Sequence, residues 1–218
     1  MTKILSFPRQ KKTKTARTVK NIDGIKYFTK SQINLMRRTV KDQSTTGRLS
    51  GVRDWLLLDL LTGTGLRVAE AANVRCGDLR DGYGESAIFV RKGKGAKSRT
   101  VQIPVGLKKH LRSFLSWKRN RGEPTGQDDH LFVGQRGPWT VAAIQQVVKK
   151  HLKALGLYEP GKSCHSLRHS YATELYRSAR DLRAVQKQLG HSSFQTTQIY
   201  ADVTVDDIQE QVNEIWRK

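Results

Sequence analysis

Six polar residues in separate segments of the chain have side chains suited to phosphoryl transfer. They are Arg67, Lys94, His165, Arg168, His191 and Tyr200. Two guanidiniums can hold the charged oxygens of a phosphoryl-transfer transition state, and a lysine can protonate a departing alkoxide. Imidazoles can hydrogen-bond phosphate and move protons near neutral pH, and a tyrosine hydroxyl can act as a covalent nucleophile. The set therefore predicts phosphoryl transfer without a metal ion or cofactor.

The cationic members of this set each have a structural alternative. Arg67 could form a helix-surface ion pair with Glu70 at the i+3 position. Lys94 lies close to Lys92 and Lys97, so it could be one of several equivalent surface lysines. Residue type alone does not separate these interpretations from the catalytic one.

The histidines and the tyrosine also have structural alternatives. His165 and His169 are four residues apart, as zinc ligands on one helix face can be. No Glu lies beside His165 in an HExxH pattern and no third ligand is evident, so no metal site is predicted. His191 could simply follow the end of a helix, and Tyr200 could be a core aromatic residue.

Hydrophobic patterning predicts mainly helices around these residues. Thr29 and Gln32 have the form of a capping box before a first helix whose apolar residues include Met36 and Val40. Further helices are predicted over 52–62, 67–74, 107–118, 141–155, 165–178, 182–189 and 205–216. A tight turn is predicted at 63–65, and strands 88–90 and 100–103 flank a hairpin turn at 92–95. The fold class is therefore mainly α with a small antiparallel β-sheet (α+β).

Four segments, in order, resemble motifs of the tyrosine recombinases, the phage-integrase family. The sequence TGTGLRVAE at 62–70 resembles the first arginine box, and GKGAKSR at 93–99 resembles the hairpin that bears a catalytic lysine. HSLRH at 165–169 resembles the HxLRH box, and LGHSS at 189–193 with TTQIY at 196–200 resembles the nucleophile region. The resemblance covers roughly residues 28–218 and implies the catalytic-domain fold of that family.

The resemblance also implies the roles of the tyrosine and the arginines. Arg67 and Arg168 would clamp the scissile phosphate of duplex DNA. Tyr200 would attack that phosphate and form a covalent 3′-phosphotyrosine link, which stores the energy needed to rejoin the strands. The implied enzyme is a tyrosine-type site-specific recombinase that integrates, excises or inverts DNA of a mobile element.

The resemblance assigns the remaining positions to proton transfer and support. Lys94 would protonate the 5′-hydroxyl leaving group, and His165 would act as general acid/base on the tyrosine proton. His191 would hydrogen-bond the phosphate. Glu70 matches an acidic position that braces the site, and His169 is expected to be structural.

The charge of the chain independently indicates a polyanionic partner. Lys plus Arg total 40 against 19 Asp plus Glu, which gives a net charge of +21. Residues 1–20 contain no acidic residue and lack hydrophobic periodicity. We expect residues 1–26 to be a flexible basic arm that binds the phosphates of double-stranded DNA, with the catalytic domain at 27–218. The alternative for the arm is a solubilising tail.

Hydropathy and cysteine content exclude several other classes of protein. The mean hydropathy is −0.59 and no long apolar run is present, so a membrane-spanning protein is excluded. The first residues lack the apolar segment of a secretory signal, and two cysteines cannot form a disulfide framework. A cytoplasmic location is therefore predicted.

The domain organisation suggests which partners such an enzyme would need. Residues 1–26 are too few for the N-terminal core-binding domain of most family members, so the chain resembles the short form. An accessory DNA-binding protein could supply the further DNA contacts that such an enzyme needs. The family assembles as a homotetramer on DNA, and the apolar stripe of the 205–216 helix could pack within its own domain or on a neighbouring copy. Two alternatives remain open, a type IB topoisomerase-like enzyme and a catalytically silent DNA-binding protein.

Overall fold

A computed structural model describes residues 26–45, 49–91, 98–191, 197 and 200. Three predicted features lie outside the described residues. They are residues 1–25 of the predicted arm, the predicted turn with Lys94, and the helix predicted over 205–216. The described part is mainly helical with a small antiparallel sheet, which confirms the predicted fold class. Within these ranges no helix is both long enough and apolar enough to cross a membrane.

Seven α-helices and five short strands make up the described structure. The helices are α1 Lys30–Ser44, α2 Leu49–Thr64, α3 Val68–Ala72, α4 Val105–Asn120, α5 Val141–Ala154, α6 Cys164–Ala179 and α7 Leu182–Leu189. The strands are β1 Leu79–Arg80, β2 Ala87–Val90, β3 Arg99–Gln102, β4 Val133–Gly134 and β5 Gly137–Pro138.

Helix α2 is the centre of the fold. It is buried along most of its length and packs against α1, α4, α5 and α6. Helix α1 begins at the predicted capping box, in which Thr29 and Gln32 each accept the other's backbone N–H. The leucines of α2 join residues from the other helices and from the sheet in one hydrophobic core. This core fixes the C-terminal end of α2, from which the chain enters the candidate site.

The three-stranded antiparallel sheet lies beside this core in the order β1-β2-β3. Ile88 on β2 pairs with Leu79 on β1 and with Val101 on β3, and both Ile88 and Val101 are fully buried. Strands β2 and β3 are the predicted hairpin. The two-residue strand β1 and the β4–β5 ribbon were not expected, because such short segments carry no periodicity of their own.

The end of α2 differs from the tight turn predicted at 63–65. The helix continues through Thr64, whose hydroxyl donates to the Leu60 carbonyl at 2.6 Å and accepts the Leu66 N–H at 3.2 Å. Gly65 then ends the helix with a φ of +64°, and a Cβ there would lie 2.4 Å from Cδ1 of Tyr171. Glycine is therefore required at this position both for its backbone conformation and for the close approach of α6.

Candidate active site

Arg168 is buried in the middle of the site on α6. The helix starts at Ser163, whose side chain accepts the His165 backbone N–H, and Arg168 follows one turn later. Its guanidinium donates to the Gly65 carbonyl at 2.6 Å and to the Leu189 carbonyl at 2.8 Å. Burial and the nearby Arg67 lower the pKa of Arg168 to about 10, so it remains charged at neutral pH. The buried guanidinium is thus bound by backbone carbonyls, which are neutral acceptors, at the C-terminal ends of α2 and α7.

Arg67 enters the site from the turn between α2 and α3. It is the N-cap residue of α3, and its backbone N–H donates to Glu70 at 2.8 Å. Its guanidinium donates to the other Glu70 carboxylate oxygen at 2.9 Å, which is the i+3 pair considered in the sequence. A longer bond of 3.5 Å runs from Arg67 to the Gly190 carbonyl. The ion pair therefore orients Arg67 toward the site and does not remove it from the site.

Arg99 on β3 is a site residue that motif analysis missed. Its guanidinium binds both carboxylate oxygens of Glu70, at 2.7 and 2.9 Å, and its Nε donates to the Gln188 carbonyl at 3.3 Å. Burial alone would raise the pKa of Glu70, but its bonds to Arg99 and Arg67 bring that pKa below the usual value. Arg99 follows the predicted lysine hairpin directly, and that position was the available signal.

His191 lies just after α7, where Gly190 ends the helix with a φ of +65°. Its Nδ1 is 3.0 Å from the Thr197 hydroxyl. Burial, together with the positive charges of Arg168 and Arg67, lowers the pKa of His191 to about 4. The ring is therefore neutral at physiological pH and can form hydrogen bonds through either nitrogen.

Tyr200 is buried beside α6 and α7, where it joins a small cluster with Ala172, Val185 and Leu189. Its hydroxyl lies 2.8 Å from Nδ1 of His169. Burial raises the pKa of Tyr200 to about 12, although the charges of Arg168 and Arg67 act in the opposite direction. The phenol is therefore protonated at rest and lies within the field of both arginines.

The two histidines of the HSLRH segment occupy different environments. His169, expected to be structural, contacts Tyr200, and burial is the main cause that lowers its pKa to about 4. His165 is exposed one turn earlier on α6, and the two imidazole centroids are 6.2 Å apart. Of these two described histidines, His169 is within hydrogen-bond distance of the Tyr200 hydroxyl, and no hydrogen bond joins His165 to it. The sequence feature that could have indicated a site role for His169 was its i+4 spacing from His165.

The structure brings together Arg67, Arg168, His191 and Tyr200, with His165 at the exposed edge. Lys94 lies outside the described residues, and the chain on either side of it is described up to Arg91 and from Ser98. Within the described ranges no group of three or more His, Cys, Asp or Glu side chains could hold a metal ion.

The described site carries more positive than negative charge, which favours the binding of an anion. The site holds three guanidiniums, from Arg67, Arg99 and Arg168, and one carboxylate, that of Glu70, which Arg67 and Arg99 bind directly. Paired guanidiniums bind phosphate oxygens in a planar, bidentate manner. A nucleophilic hydroxyl next to a phosphate held in this way can carry out a transesterification.

The sequence was compared with models of known families, and the model described as the phage integrase family matches residues 26–206. This chain belongs to the phage integrase family. The matched segment contains all six candidate residues named from the sequence.

Curated relatives of this integrase-family chain are tyrosine recombinases. Tyrosine recombinase XerA of Pyrococcus furiosus is 38% identical over 162 residues, which are 74% of this chain and 54% of the relative. Tyrosine recombinase XerD of Corynebacterium glutamicum is 36% identical over 170 residues, 76% of this chain and 52% of the relative. The chain thus spans about half the length of the curated relatives it matches.

Solved structures of integrase-family proteins share the fold. The XerH site-specific recombinase bound to a palindromic difH substrate in a post-cleavage complex aligns with a TM-score of 0.71 and 27% identity. The alignment covers 89% of this chain and 54% of that one. The XerA recombinase aligns with a TM-score of 0.69 and 28% identity, over 88% and 65% of the two chains.

Proposed function

We propose that this chain is the catalytic part of a site-specific DNA recombinase, which cleaves and rejoins duplex DNA through a covalent 3′-phosphotyrosine. The observation that carries the proposal is the buried Tyr200 hydroxyl within the field of Arg67 and Arg168. Membership of the phage integrase family supports it, as does the substrate complex of the structurally similar XerH recombinase.

In this mechanism Arg67 and Arg168 bind the non-bridging oxygens of the scissile phosphate. Both are already fixed, Arg168 by two carbonyls and Arg67 by Glu70, so little reorganisation is needed when DNA binds. Arg168 contributes strongly because its charge is buried and its hydrogen bonds within the described part of the chain go to neutral carbonyls.

The remaining roles follow from the positions of the other residues. Tyr200 attacks phosphorus, and Lys94 protonates the departing 5′ oxygen. His191, neutral and next to the arginines, donates a hydrogen bond to the phosphate. His165, at the exposed edge of the site, takes up the Tyr200 proton as general acid/base, as the family resemblance implies. Neither the attack nor the leaving-group step requires a metal ion or cofactor.

The partners and location of the protein belong to the same proposal. Double-stranded DNA is the substrate, and residues 1–26 form a basic arm that binds its phosphates outside the catalytic domain at 27–218. Four copies act together on two DNA sites, with an accessory DNA-binding protein where the arm alone does not hold the duplex. The enzyme acts in the cytoplasm, where its DNA substrate lies.

The deciding experiment is an assay for a covalent adduct that survives SDS. Wild type, Tyr200→Phe and the surface control Tyr158→Phe are each incubated with duplex DNA from both sides of the gene, with excess EDTA. We expect an adduct with wild type and with Tyr158→Phe and none with Tyr200→Phe, at nearly equal DNA binding.

The other outcomes of this assay reject parts of the proposal. An adduct with Tyr200→Phe would place the nucleophile elsewhere, and a strict need for magnesium would reject the metal-free mechanism. Tight binding without an adduct would identify a DNA-binding protein that lacks catalysis. In a parallel assay on supercoiled plasmid, relaxation without exchange of strands would indicate a topoisomerase.

A further inference from the structure

The Glu70 carboxylate accepts hydrogen bonds from two arginine residues at once. Its Oε1 accepts from the guanidiniums of Arg67 at 2.9 Å and Arg99 at 2.7 Å. Its Oε2 accepts the Arg67 backbone N–H at 2.8 Å and a second nitrogen of the Arg99 guanidinium at 2.9 Å. A carboxylate has about four lone-pair positions, so these bonds use its full capacity. Arg67 binds phosphate in the proposed mechanism, whereas Arg99 has no role in it.

The Arg99 guanidinium is held by the protein on every side that carries a nitrogen. Nη1 and Nη2 bind Glu70, and Nε donates to the Gln188 carbonyl at 3.3 Å. The side chain is 13% exposed, and its Cδ would lie 2.6 Å from a Cβ on Gly190, so the end of α7 lies against it. Because all three nitrogens already have protein partners, Arg99 is poorly placed to bind phosphate itself.

The Arg67 guanidinium has more capacity for a further ligand. Its Nη1 binds Glu70, whereas the hydrogen bond of its Nη2 to the Gly190 carbonyl is long, at 3.5 Å. The Arg67 side chain is also more exposed than that of Arg99, at 24% against 13%. Nη2 can therefore bind a phosphate oxygen. How strongly it attracts that oxygen depends on how much of its charge Glu70 cancels.

The net charge around Glu70 depends on Arg99. Arg67 and Glu70 alone would be a neutral pair, and Arg99 leaves the three side chains with one net positive charge. The Glu70 side chain is 4% exposed, so water does little to screen its charge from Arg67. Burial raises the pKa of Glu70, but the bonds and charge of Arg99, with the bonds from Arg67, bring that pKa below its usual value.

We propose that Arg99 is a positioning residue that takes up the charge of Glu70, so that Arg67 keeps its own charge for the scissile phosphate. The inference rests on the proposed function. Glu70 orients the Arg67 guanidinium, and Arg99 prevents the same carboxylate from cancelling the charge of that guanidinium. Negative charge on the non-bridging oxygens grows during attack, so the effect is larger in the transition state than in the bound complex.

The first test needs no DNA and so does not depend on the proposed function. In full-length protein with ¹³C-labelled glutamate side chains, NMR measures the pKa of Glu70, and Glu70→Gln assigns its signal. Arg99→Met removes the hydrogen bond that lowers this pKa most. We expect the pKa of Glu70 to rise in Arg99→Met and to keep its wild-type value in the control Arg91→Met. An unchanged pKa in Arg99→Met would overturn the inference, because Arg67 alone would then neutralise Glu70.

Arg91 is a matched control because it also binds a buried carboxylate beside the sheet. Its Nε donates to Asp78 at 2.6 Å, and the Asp78 side chain is 2% exposed. Arg91 directly follows β2 and Arg99 begins β3, so the two arginines flank the same predicted turn. Both methionine variants should therefore lose similar stability in thermal unfolding, whereas only Arg99→Met should change the site.

The second test measures the first-order rate of adduct formation at saturating DNA. We expect Arg99→Met to lose about tenfold or more, with DNA affinity nearly unchanged because many other phosphate contacts remain. Arg99→Lys keeps the positive charge and should retain most of the rate. In a Glu70→Gln background there is no carboxylate charge to take up, so Arg99→Met should cost much less there than in wild type.

The outcomes distinguish the charge role of Arg99 from a structural role and from the proposed function. If Arg99→Met costs the same in both backgrounds, or if Arg99→Lys falls as far as Arg99→Met, Arg99 only holds β3 against α7 and the inference is rejected. An equal loss in Arg91→Met would assign the effect to the hairpin and would also reject it. If wild type forms no adduct, the proposed function fails, and the pKa of Glu70 still decides whether Arg99 neutralises it.

Discussion

Arg168 and Arg67 differ in what holds them, and this difference determines what each can do. Arg67 is paired with the Glu70 carboxylate, which offsets part of its charge. Among the described residues, the hydrogen bonds of Arg168 go to the neutral carbonyls of Gly65 and Leu189. Because a buried charge without a direct counter-ion interacts strongly with any anion that reaches it, Arg168 should be the more important phosphate ligand.

The first prediction concerns the shape of the Arg168 side chain. In Arg168→Lys the ammonium keeps the charge but cannot bind two diverging carbonyls and a phosphate at the same time. We expect the rate of SDS-resistant adduct formation to fall by about 10²-fold or more. Arg177→Lys, on the exposed face of the same helix, should leave the rate unchanged. Equal rates for the two variants would show that Arg168 does not touch the reacting phosphate.

The second prediction concerns the stability of the DNA-free protein in acid. His169 and His191 have pKa values of about 4 in the folded protein, against 6.5 for the free side chain. Below pH 6.5 the unfolded chain therefore binds protons that these two histidines do not bind in the native state. The free energy of unfolding consequently decreases as the pH falls toward 4. The loss is on the order of 1 kcal/mol per ring after solvent screening.

Urea unfolding at pH 7 and pH 4.5 measures this effect. His169→Asn removes one of the two groups, so its unfolding free energy should fall less between the two pH values than that of wild type. Tyr158→Phe, a surface change that titrates neither ring, serves as the control and should follow wild type. A His169→Asn protein with the full acid sensitivity of wild type would contradict the pKa shift.

At the scale of elements, the hairpin strand β3 and helix α7 form one rigid unit beside the site. The Gln188 side chain accepts the Gln102 backbone N–H at 3.1 Å and donates to the Gln102 carbonyl at 2.7 Å. Arg99 on β3 donates to the Gln188 carbonyl of α7 and also binds Glu70. The strand that follows the Lys94 turn and the helix that precedes His191 therefore keep a fixed spacing.

The third prediction uses two glycines that share a conformation but differ in their surroundings. Gly190 and Gly156 have φ values of +65° and +66°. A Cβ on Gly190 would lie 2.6 Å from Cδ of Arg99, whereas nothing lies within 4 Å of one on Gly156. Either change to alanine costs about 1 kcal/mol of backbone strain. Only Gly190→Ala should also displace Arg99 from Glu70.

Gly190→Ala should therefore reduce adduct formation by about tenfold or more, while Gly156→Ala lowers only stability. Thermal unfolding of both proteins measures the shared strain, and the adduct rate at saturating DNA measures the effect on the site. If both variants lose the same activity, the clash with Arg99 is relieved by side-chain movement and the network around Glu70 does not control the rate.

The strongly patterned elements could be predicted from the sequence, and contacts between distant segments could not. Helix α7 has the predicted bounds 182–189, because its aspartate cap and C-terminal glycine mark both ends. The pairs His169–Tyr200 and Glu70–Arg99 span 31 and 29 residues and depend on how α6, α7 and β3 pack. No local pattern encodes such a contact, so motif spacing predicted candidate site residues but not the contacts of His169 and Arg99.

At the scale of the whole molecule, basic residues occur both in the described part of the chain and in the segment proposed as a basic arm. The chain carries a net charge of +21, and the first twenty residues contribute Lys3, Arg9, Lys11, Lys12, Lys14, Arg17 and Lys20. In the proposed mechanism the folded part supplies specific phosphate ligands that are held by hydrogen bonds. The arm would supply contacts that depend on charge alone, and these two kinds of contact respond differently to salt.

The fourth prediction separates these two contributions to DNA binding. Two variants are compared with wild type, a deletion of residues 1–20 and a full-length chain with those seven basic residues changed to glutamine. The slope of log binding constant against log salt concentration should become shallower by about 0.9 for every phosphate that the arm no longer neutralises. If residues 1–26 precede the catalytic domain as proposed, the adduct rate at saturating DNA should stay at the wild-type value.

The full-length variant decides between charge and chain length as the cause. If both variants flatten the salt dependence equally, the arm acts through its charges and its sequence is otherwise unimportant. A wild-type slope in both would reduce the arm to a solubilising tail. If only the deletion changes the slope, the neutral side chains of the arm contact DNA or order part of the domain, and the electrostatic account fails even though binding is weakened.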